Sequence, residues 1–113
     1  MKSYTDLEQS KRLAEILPLE SASMIYMPIK GGFFKIPECY PFNEFKDSDT
    51  KPLPCWSLTA LMNILDRGAL FITPQGWACQ SYINLKAITS DHHSNPIDAC
   101  YEIILRLHEL KML

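Results

Sequence analysis

The sequence has no excess of charge of either sign and no motif of the common enzyme classes. Its 11 basic and 13 acidic residues are scattered without runs and give a net charge of −2, which excludes the basic stripe that nucleic-acid-binding proteins present to phosphates. The GxGxxG, Walker A, GxSxG and HExxH patterns are all missing, so no dinucleotide, nucleotide, serine-hydrolase or zinc-protease site is indicated. We therefore expect no cofactor, no metal ion and no nucleic-acid partner.

Long apolar runs are missing as well. The longest uncharged stretch, residues 68–85, includes Pro74, Gln75 and Asn84, which the core of a bilayer would penalise. The first residues of the chain carry no apolar segment of the kind found in secretory signals. These absences predict a cytoplasmic protein that has no membrane partner.

Paired cysteines are a third absence. Cys39, Cys55, Cys79 and Cys100 include no Cys-x-x-Cys pair, which removes the usual ligand spacing of structural zinc sites. An even number of cysteines allows two disulfides in a secreted protein. Because no secretory signal is seen, reduced and mostly buried thiols are the favoured interpretation.

Apolar residues are plentiful. They make up 47% of the 113 residues, which is enough to build a core without a metal ion or a disulfide. A chain of this length is typical of one domain. We predict a single domain over residues 1–113.

Local patterns in the first half predict a helix and then a hairpin. Thr5-Asp6-Leu7-Glu8 is a capping-box pattern headed by the Thr5 hydroxyl, and Pro18 ends the helix. Residues 24–36 predict two strands that turn at Gly31-Gly32, because glycine tolerates the positive φ of a tight turn. Pro28 predicts that the first of these strands is an edge strand or is broken at this residue.

The middle of the chain predicts a loop, a second helix and a second hairpin. Residues 41–54 are polar and bounded by prolines, which is typical of a loop. The next apolar residues recur at helical spacing, with Ser57 as the N-cap and Gly68 as the stop. Two strands follow, joined at Pro74-Gln75-Gly76, and the second runs to Leu85.

A last helix is predicted from Pro96 to about Lys111. Asn95 is its N-cap and Pro96 its first residue. Glu102 and Arg106 form a favourable i,i+4 ion pair. The apolar stripe of this helix comprises Ile97, Cys100, Ile103, Ile104, Leu107 and Leu110.

The element order α-ββ-α-ββ-α predicts the fold class. Consecutive hairpins favour antiparallel strands, and amphipathic helices need a sheet face to cover. We predict an α+β fold in which helices pack mainly on one face of an antiparallel four-stranded sheet.

Four segments carry a resemblance to a known family. They are residues 5–11, 13–18 and 54–58 and the tail from Asn95 to Leu110, and the resemblance extends over both ends and the central helix, about half of the chain. Here the sequence resembles a family of short uncharacterised proteins encoded on phage-like or mobile elements of gut anaerobes. The resemblance implies a cytoplasmic accessory protein, and it carries no functional residue because the family has no assigned activity.

An enzymatic hypothesis rests on Cys55. If Cys55-Trp56-Ser57 opened a helix after Pro54, the helix N-terminus would lower the pKa of the Cys55 thiol and favour a nucleophilic thiolate. The segment faintly resembles the catalytic segment of papain-like proteases. It departs from that pattern because Leu53-Pro54 replaces the residues before the cysteine, and a small hydrophobic residue packed beside Trp56 is the favoured interpretation.

Aromatic side chains on the predicted strands suggest a binding surface. Neighbouring residues of a strand point to opposite faces, so Phe33 and Phe34 cannot both enter one core, and Trp77 and Tyr82 also have opposite parity. Exposed aromatic residues are typical of partner-binding surfaces. We predict that these four residues bind a partner, with a second buried face of the sheet as the alternative.

The leading functional prediction is a small non-enzymatic cytoplasmic interaction module that binds a protein partner or a second copy of itself. The first alternative is a small-ligand-binding domain with a pocket between sheet and helices. The second alternative is a thiol enzyme that uses Cys55. The sequence identifies no substrate, partner or biological process.

Overall fold

A computed structural model describes residues 3–29, 32–36, 52–65, 67–83 and 85–113, and only the backbone of residues 28–29 and 32–36. The chain divides into two compact units, one spanning Tyr4–Ala60 and the other Leu61–Leu113 with Ser3. The elements of the described residues, in chain order, are α1 (Leu7–Ala14), a 3₁₀ helix (Leu19–Ser21), β1 (Met24–Ile29), β2 (Gly32–Ile36), β3 (Leu53–Cys55), α2 (Leu58–Ile64), β4 (Ala69–Thr73), β5 (Gly76–Ile83), β6 (Lys86–Thr89) and α3 (Pro96–Glu109).

The strands confirm the α+β class but not the predicted sheet. The described strands form two antiparallel sheets of three strands each, in the orders β2-β1-β3 and β4-β5-β6. The prediction of one four-stranded sheet is therefore wrong. The two predicted hairpins do not pair with each other. Each one pairs instead with a short additional strand, β3 or β6, that was not predicted from the sequence. The prediction of a single domain stays a prediction.

Helix α1 begins one residue later than its capping pattern suggested. Asp6 is the N-cap: its carboxylate accepts from the backbone N–H of Gln9 at 2.8 Å, and the Gln9 side chain accepts from the N–H of Asp6 at 3.2 Å. The prediction of Thr5 as the capping residue is thus wrong. The helix ends at Ala14, ahead of Pro18, and it buries Leu13 completely.

Thr5 does not cap the helix because its hydroxyl is used inside the core. Its Oγ1 lies 2.8 Å from Oγ of Ser10 and accepts from the backbone N–H of Trp56 at 3.1 Å. Its carbonyl accepts from the hydroxyl of Tyr26 at 2.7 Å. Burial is the main cause that raises the pKa of Tyr26 well above its usual value. This polar network ties the start of the chain to β1 and to the residue after β3, since a buried polar group needs a partner.

The first hairpin is confirmed, although Gly32 lies in β2 rather than in the turn, and a third strand extends the sheet. β1 pairs with β2 from Ile25↔Ile36 to Ile29↔Gly32, so the connecting residues 30–31 lie outside the described residues. β1 also pairs with β3, which makes it the central strand rather than an edge. This second pairing covers only Met24 to Tyr26 and stops before Pro28. A proline is tolerated there because no described strand lies beside it on that side.

Strand β3 falls at the end of the segment predicted as a loop, and residues 41–51 of that segment lie outside the described residues. β3 has three residues and includes Pro54, so no alternating pattern announces it. Helix α2 then begins as predicted, because the hydroxyl of Ser57 accepts from the N–H of Ala60 at 3.2 Å. The helix ends at Ile64, and Arg67 rather than Gly68 has the positive φ, 50°, that follows it.

In the unit Leu61–Leu113, the hairpin of β4 and β5 turns where predicted. Thr73 pairs with Gly76 across Pro74-Gln75. Gly76 has a φ of +129°, and a Cβ atom there would lie 2.5 Å from the carbonyl oxygen of His93. Only glycine satisfies both the backbone angle and this close approach.

Strand β6 was not predicted. β5 ends at Ile83, which pairs with Lys86, the first residue of β6. Leu85, directly before β6, lies in a turn with a φ of +65°. A leucine gives no sequence signal for a left-handed turn position, because glycine, asparagine and aspartate are the residues that favour it. The chain therefore turns at a residue that we assigned to the strand.

The structure confirms the last predicted helix, α3, whose sequence pattern is the most regular in the chain. The side chain of Asn95 accepts from the N–H of Asp98 at 2.9 Å and caps the helix, which packs against β5. The helix ends at Glu109 because Lys111 adopts a φ of +58° and Met112 donates back to the carbonyl of Leu107, a Schellman ending. The apolar stripe is fully buried except for Leu110, which is 55% exposed because it lies past the helix end; the completely buried members are Ile97, Cys100, Ile103, Ile104 and Leu107.

Candidate functional site

The four aromatic residues predicted to bind a partner lie in two different sheets. Phe33 and Phe34 are in β2, where their backbones pair with Pro28 and Met27, and their side chains lie outside the described residues. Trp77 and Tyr82 are in β5 of the other sheet. The idea that all four lie on one sheet is wrong, although their role in binding stays a prediction.

Trp77 and Tyr82 point to opposite faces of β5, as their spacing indicated. The helix face of this sheet is the face of Cys79, whose Sγ lies 3.6 Å from Sγ of Cys100 in α3. Trp77 has the parity of Cys79 and therefore lies on the helix face. Tyr82 lies on the outer face and is 36% exposed. The two rings cannot contribute to one continuous surface.

Strand β4 exposes apolar side chains on both of its faces. Ile72, on the helix face opposite Trp77, is 65% exposed, and Phe71, on the outer face opposite Ala78, is 37% exposed. β4 pairs with β5 on one side and with no other strand among the described residues. Sequence reasoning missed these two residues because a short run of Leu, Phe and Ile reads equally well as a buried strand. We call the unpaired side of Ala69–Thr73 the β4 edge.

The outer face of this sheet carries no charged side chain. Alternation and register place Ala69, Phe71, Thr73, Gly76, Ala78, Gln80, Tyr82, Ala87 and Thr89 on it. Ala78, at its centre, is completely buried. The exposed apolar area of the sheet is therefore concentrated at the β4 edge and at the far end of β5, rather than in the middle of the face.

A polar cluster fixes the segment between β6 and α3. The carboxylate of Glu102 lies 2.7 Å from Nε2 of His93 and 3.2 Å from Nε of Arg106, which confirms the predicted i,i+4 pair. Both of its oxygens accept from the backbone N–H of Asp91 at 3.1 Å. His93 also exchanges two backbone hydrogen bonds with Trp77, at 2.7 and 2.8 Å.

This arrangement resembles a catalytic histidine–carboxylate pair only in part. A carboxylate has about four acceptor positions, and the contacts of Glu102 to Asp91, His93 and Arg106 use them. Arg106 in turn donates to the carbonyl of Thr89 at 2.6 Å. These contacts therefore fix the segment between β6 and α3. This segment lies against β5 beside Trp77.

Cys55 does not have the position that the enzymatic hypothesis required. It is the last residue of β3, ahead of the Ser57 N-cap, and it is completely buried. Its thiol lies 3.5 Å from the carbonyl oxygen of Thr5. The premise that Cys55 opens a helix is wrong, because the helix begins only at Leu58. Its packing beside Met24 and Tyr26 agrees with the interpretation of a small core residue.

In the part of the chain that the structure describes, no group of three His, Cys, Asp or Glu side chains converges to hold a metal ion. Within the same residues no helix is long and apolar enough to cross a membrane.

Comparison with known proteins gave no match: neither a protein-family model, nor a curated protein, nor a solved structure is significantly similar to this chain.

Proposed function

We propose that this chain is a non-enzymatic interaction module that associates with a second copy of itself through the β4 edge. The observation that carries the proposal is the 65% exposure of Ile72 on an edge strand that also exposes Phe71. An edge strand presents unpaired N–H and C=O groups, to which another strand adds readily.

Within the described residues, the β4 edge itself carries neither a charged side chain nor a proline, two of the features that normally prevent such pairing. Natural edge strands are protected by lysine side chains, prolines, bulges or covering segments. Residues 68–78 contain no charged residue, and the five residues of β4 contain no proline. The strand also consists of residue types that favour β-structure, among them Phe71, Ile72 and Thr73.

The sequence of β4 fits an antiparallel pair with its own copy. If the two-fold axis passes at Phe71, each Leu70 faces Ile72 of the second copy, and each Ala69 faces Thr73 of the second copy. Arg67 then lies opposite the uncharged Gln75, so no like charges meet. Aromatic and β-branched pairs across strands contribute about 0.2–1 kcal/mol each, and a two-fold axis doubles every such contact. The two sheets would join into one of six strands.

The test is sedimentation velocity of the wild type and of two lysine variants across the micromolar range. Ile72→Lys places a charge on the β4 edge, while Ala87→Lys places the same charge at an exposed position of β6, the other outer strand of the sheet. We expect the wild type and Ala87→Lys to dimerise. Ile72→Lys should weaken the dimer by about 30-fold, which corresponds to about 2 kcal/mol for an interface hot spot.

Circular dichroism provides the folding control, and both variants are expected to remain folded because both positions are exposed. A wild type that remains monomeric over the whole range would contradict the proposal. Equal dimerisation of Ile72→Lys and Ala87→Lys would show that any dimer forms elsewhere on the chain.

A further inference from the structure

Three sulfur atoms lie together in the unit Leu61–Leu113. Sγ of Cys100 is 3.5 Å from Sδ of Met62 and 3.6 Å from Sγ of Cys79. The three residues come from α2, β5 and α3, and we call them the sulfur cluster. Both cysteines are completely buried, whereas Met62 is half-buried and reaches the surface.

The two thiols of the sulfur cluster contact each other directly, because the S–H of Cys100 donates to Sγ of Cys79 at 3.6 Å. A thiol must lose its proton before it binds a metal ion. Both cysteines would therefore bind an ion as thiolates.

The donor set decides which ions the cluster suits. Structural zinc takes four ligands from Cys, His, Asp or Glu, and no three such side chains converge among the described residues. Calcium and magnesium require oxygen ligands. Soft thiolate and thioether ligands suit Cu(I), zinc and iron–sulfur clusters. A thioether is not a usual ligand of structural zinc or of the clusters, so this donor set points to Cu(I).

We propose that Met62, Cys79 and Cys100 form a binding site for one soft monovalent ion, Cu(I), with Ag(I) as its redox-inert substitute. Metal–sulfur bonds of about 2.3 Å place three ligand atoms about 4 Å apart around a central ion. Two of these spacings are observed: Sγ of Cys100 lies 3.5 Å from Sδ of Met62 and 3.6 Å from Sγ of Cys79, and each needs to widen by about 0.4 Å. A disulfide would instead require the two Sγ atoms to approach by about 1.6 Å.

The chemistry of binding is a ligand exchange without electron transfer. The ion enters as Cu(I) or Ag(I), binds both sulfur atoms of the cysteines and Sδ of Met62, and each coordinating thiol releases its proton to water. The positive ion offsets one of the two thiolate charges. Met62, the half-buried member of the cluster, is the ligand most accessible from the surface.

The experiment titrates the reduced, full-length protein anaerobically with silver nitrate in chloride-free buffer and counts bound ions by native mass spectrometry. Affinity for Cu(I) is measured by competition with bicinchoninate. Cys55→Ser is the matched control, because Cys55 contacts oxygen atoms of Thr5. Cys39→Ser is a second control that removes the remaining cysteine of the chain. We expect the wild type and both controls to bind one ion tightly.

Variants of the sulfur cluster separate binding from folding. Cys79→Ser and Cys100→Ser should lose the tight site. Met62→Leu conserves volume, so it should remain folded. Its affinity should still fall by about tenfold or more, since even an indirect partner of a ligand contributes that much.

Three results would overturn the inference. The first is a silver count that drops by one with every cysteine variant, controls included, because that is thiol titration without a site. The second is an unchanged affinity for Met62→Leu, which would remove the thioether from the site. The third is a tight site that Cys79→Ser and Cys100→Ser retain, because the ion would then be bound elsewhere.

Discussion

The packing of α3 provides the most quantitative prediction. Leu107 and Leu110 are the same residue type three positions apart, but Leu107 is completely buried and Leu110 is 55% exposed beyond the helix end. Truncation of a buried leucine to alanine removes its transfer free energy and leaves a cavity, at a cost of about 3 kcal/mol. The same truncation at Leu110 should cost less than about 1 kcal/mol, because much of that side chain stays in water.

This difference is large compared with the stability of a small protein, which is about 5–15 kcal/mol. At about 4 °C per kcal/mol for a chain of this size, Leu107→Ala should lower the Tm by about 12 °C. Leu110→Ala should lower it by less than about 4 °C. Urea denaturation followed by circular dichroism measures both free energies of unfolding, and the slope with urea should stay the same in the two variants. Equal losses from the two substitutions would show that the apolar stripe of α3 is misplaced.

The remaining predictions concern the turn of the second sheet and the cooperativity of the chain. Gly76→Ala should destabilise the protein by about 1–3 kcal/mol, because it combines a φ of +129° with a Cβ placed 2.5 Å from the carbonyl of His93; an unchanged urea midpoint would argue against the close approach. Trp56 lies in the unit Tyr4–Ala60 and Trp77 in the unit Leu61–Leu113, so Trp56→Phe and Trp77→Phe leave one fluorescent reporter in each. If the chain is one cooperative domain, the two reporters should give the same unfolding midpoint after correction for the stability of each variant, and separate midpoints would show two domains.

Elements with complete local signals were predictable from the sequence. Helix α3 has an Asn95-Pro96 start and a periodic apolar stripe, and both ends of the β4–β5 turn are marked by Pro74 and Gly76. The physical cause is that caps and turns are decided by a few neighbouring residues. These signals give the elements and their approximate bounds.

The arrangement of the strands into two sheets could not be predicted from the sequence. Strand pairing depends on segments far apart in the chain, and the two strands that decide it carry weak patterns. β3 has only three residues and includes Pro54, and β6 follows a turn at Leu85, a residue type that rarely adopts a positive φ. Without these strands, the two hairpins had only each other as partners.

The candidate sites were likewise predictable only where they depend on local sequence. The aromatic residues of β5 could be assigned to opposite faces from parity alone, but the exposed β4 edge became visible only with the sheet order. The sulfur cluster is formed by three elements that are distant in sequence, and a thioether is not among the residues that spacing rules for metal sites consider. Neither feature has a local signal that sequence reasoning could have used.

Site-directed disulfide trapping tests the proposed association most directly. In the antiparallel pair centred on Phe71, a cysteine at that position faces its own copy at about 4.5–5.5 Å between Cα atoms, which a disulfide spans. A cysteine at Thr73 faces Ala69 of the second copy and lies about 13 Å from its own copy, so Thr73→Cys is the matched control. In a Cys39→Ser background under mild oxidation, we predict a covalent dimer for Phe71→Cys and none for Thr73→Cys. Cross-linking of both variants to the same extent, or of neither, would contradict pairing through the β4 edge.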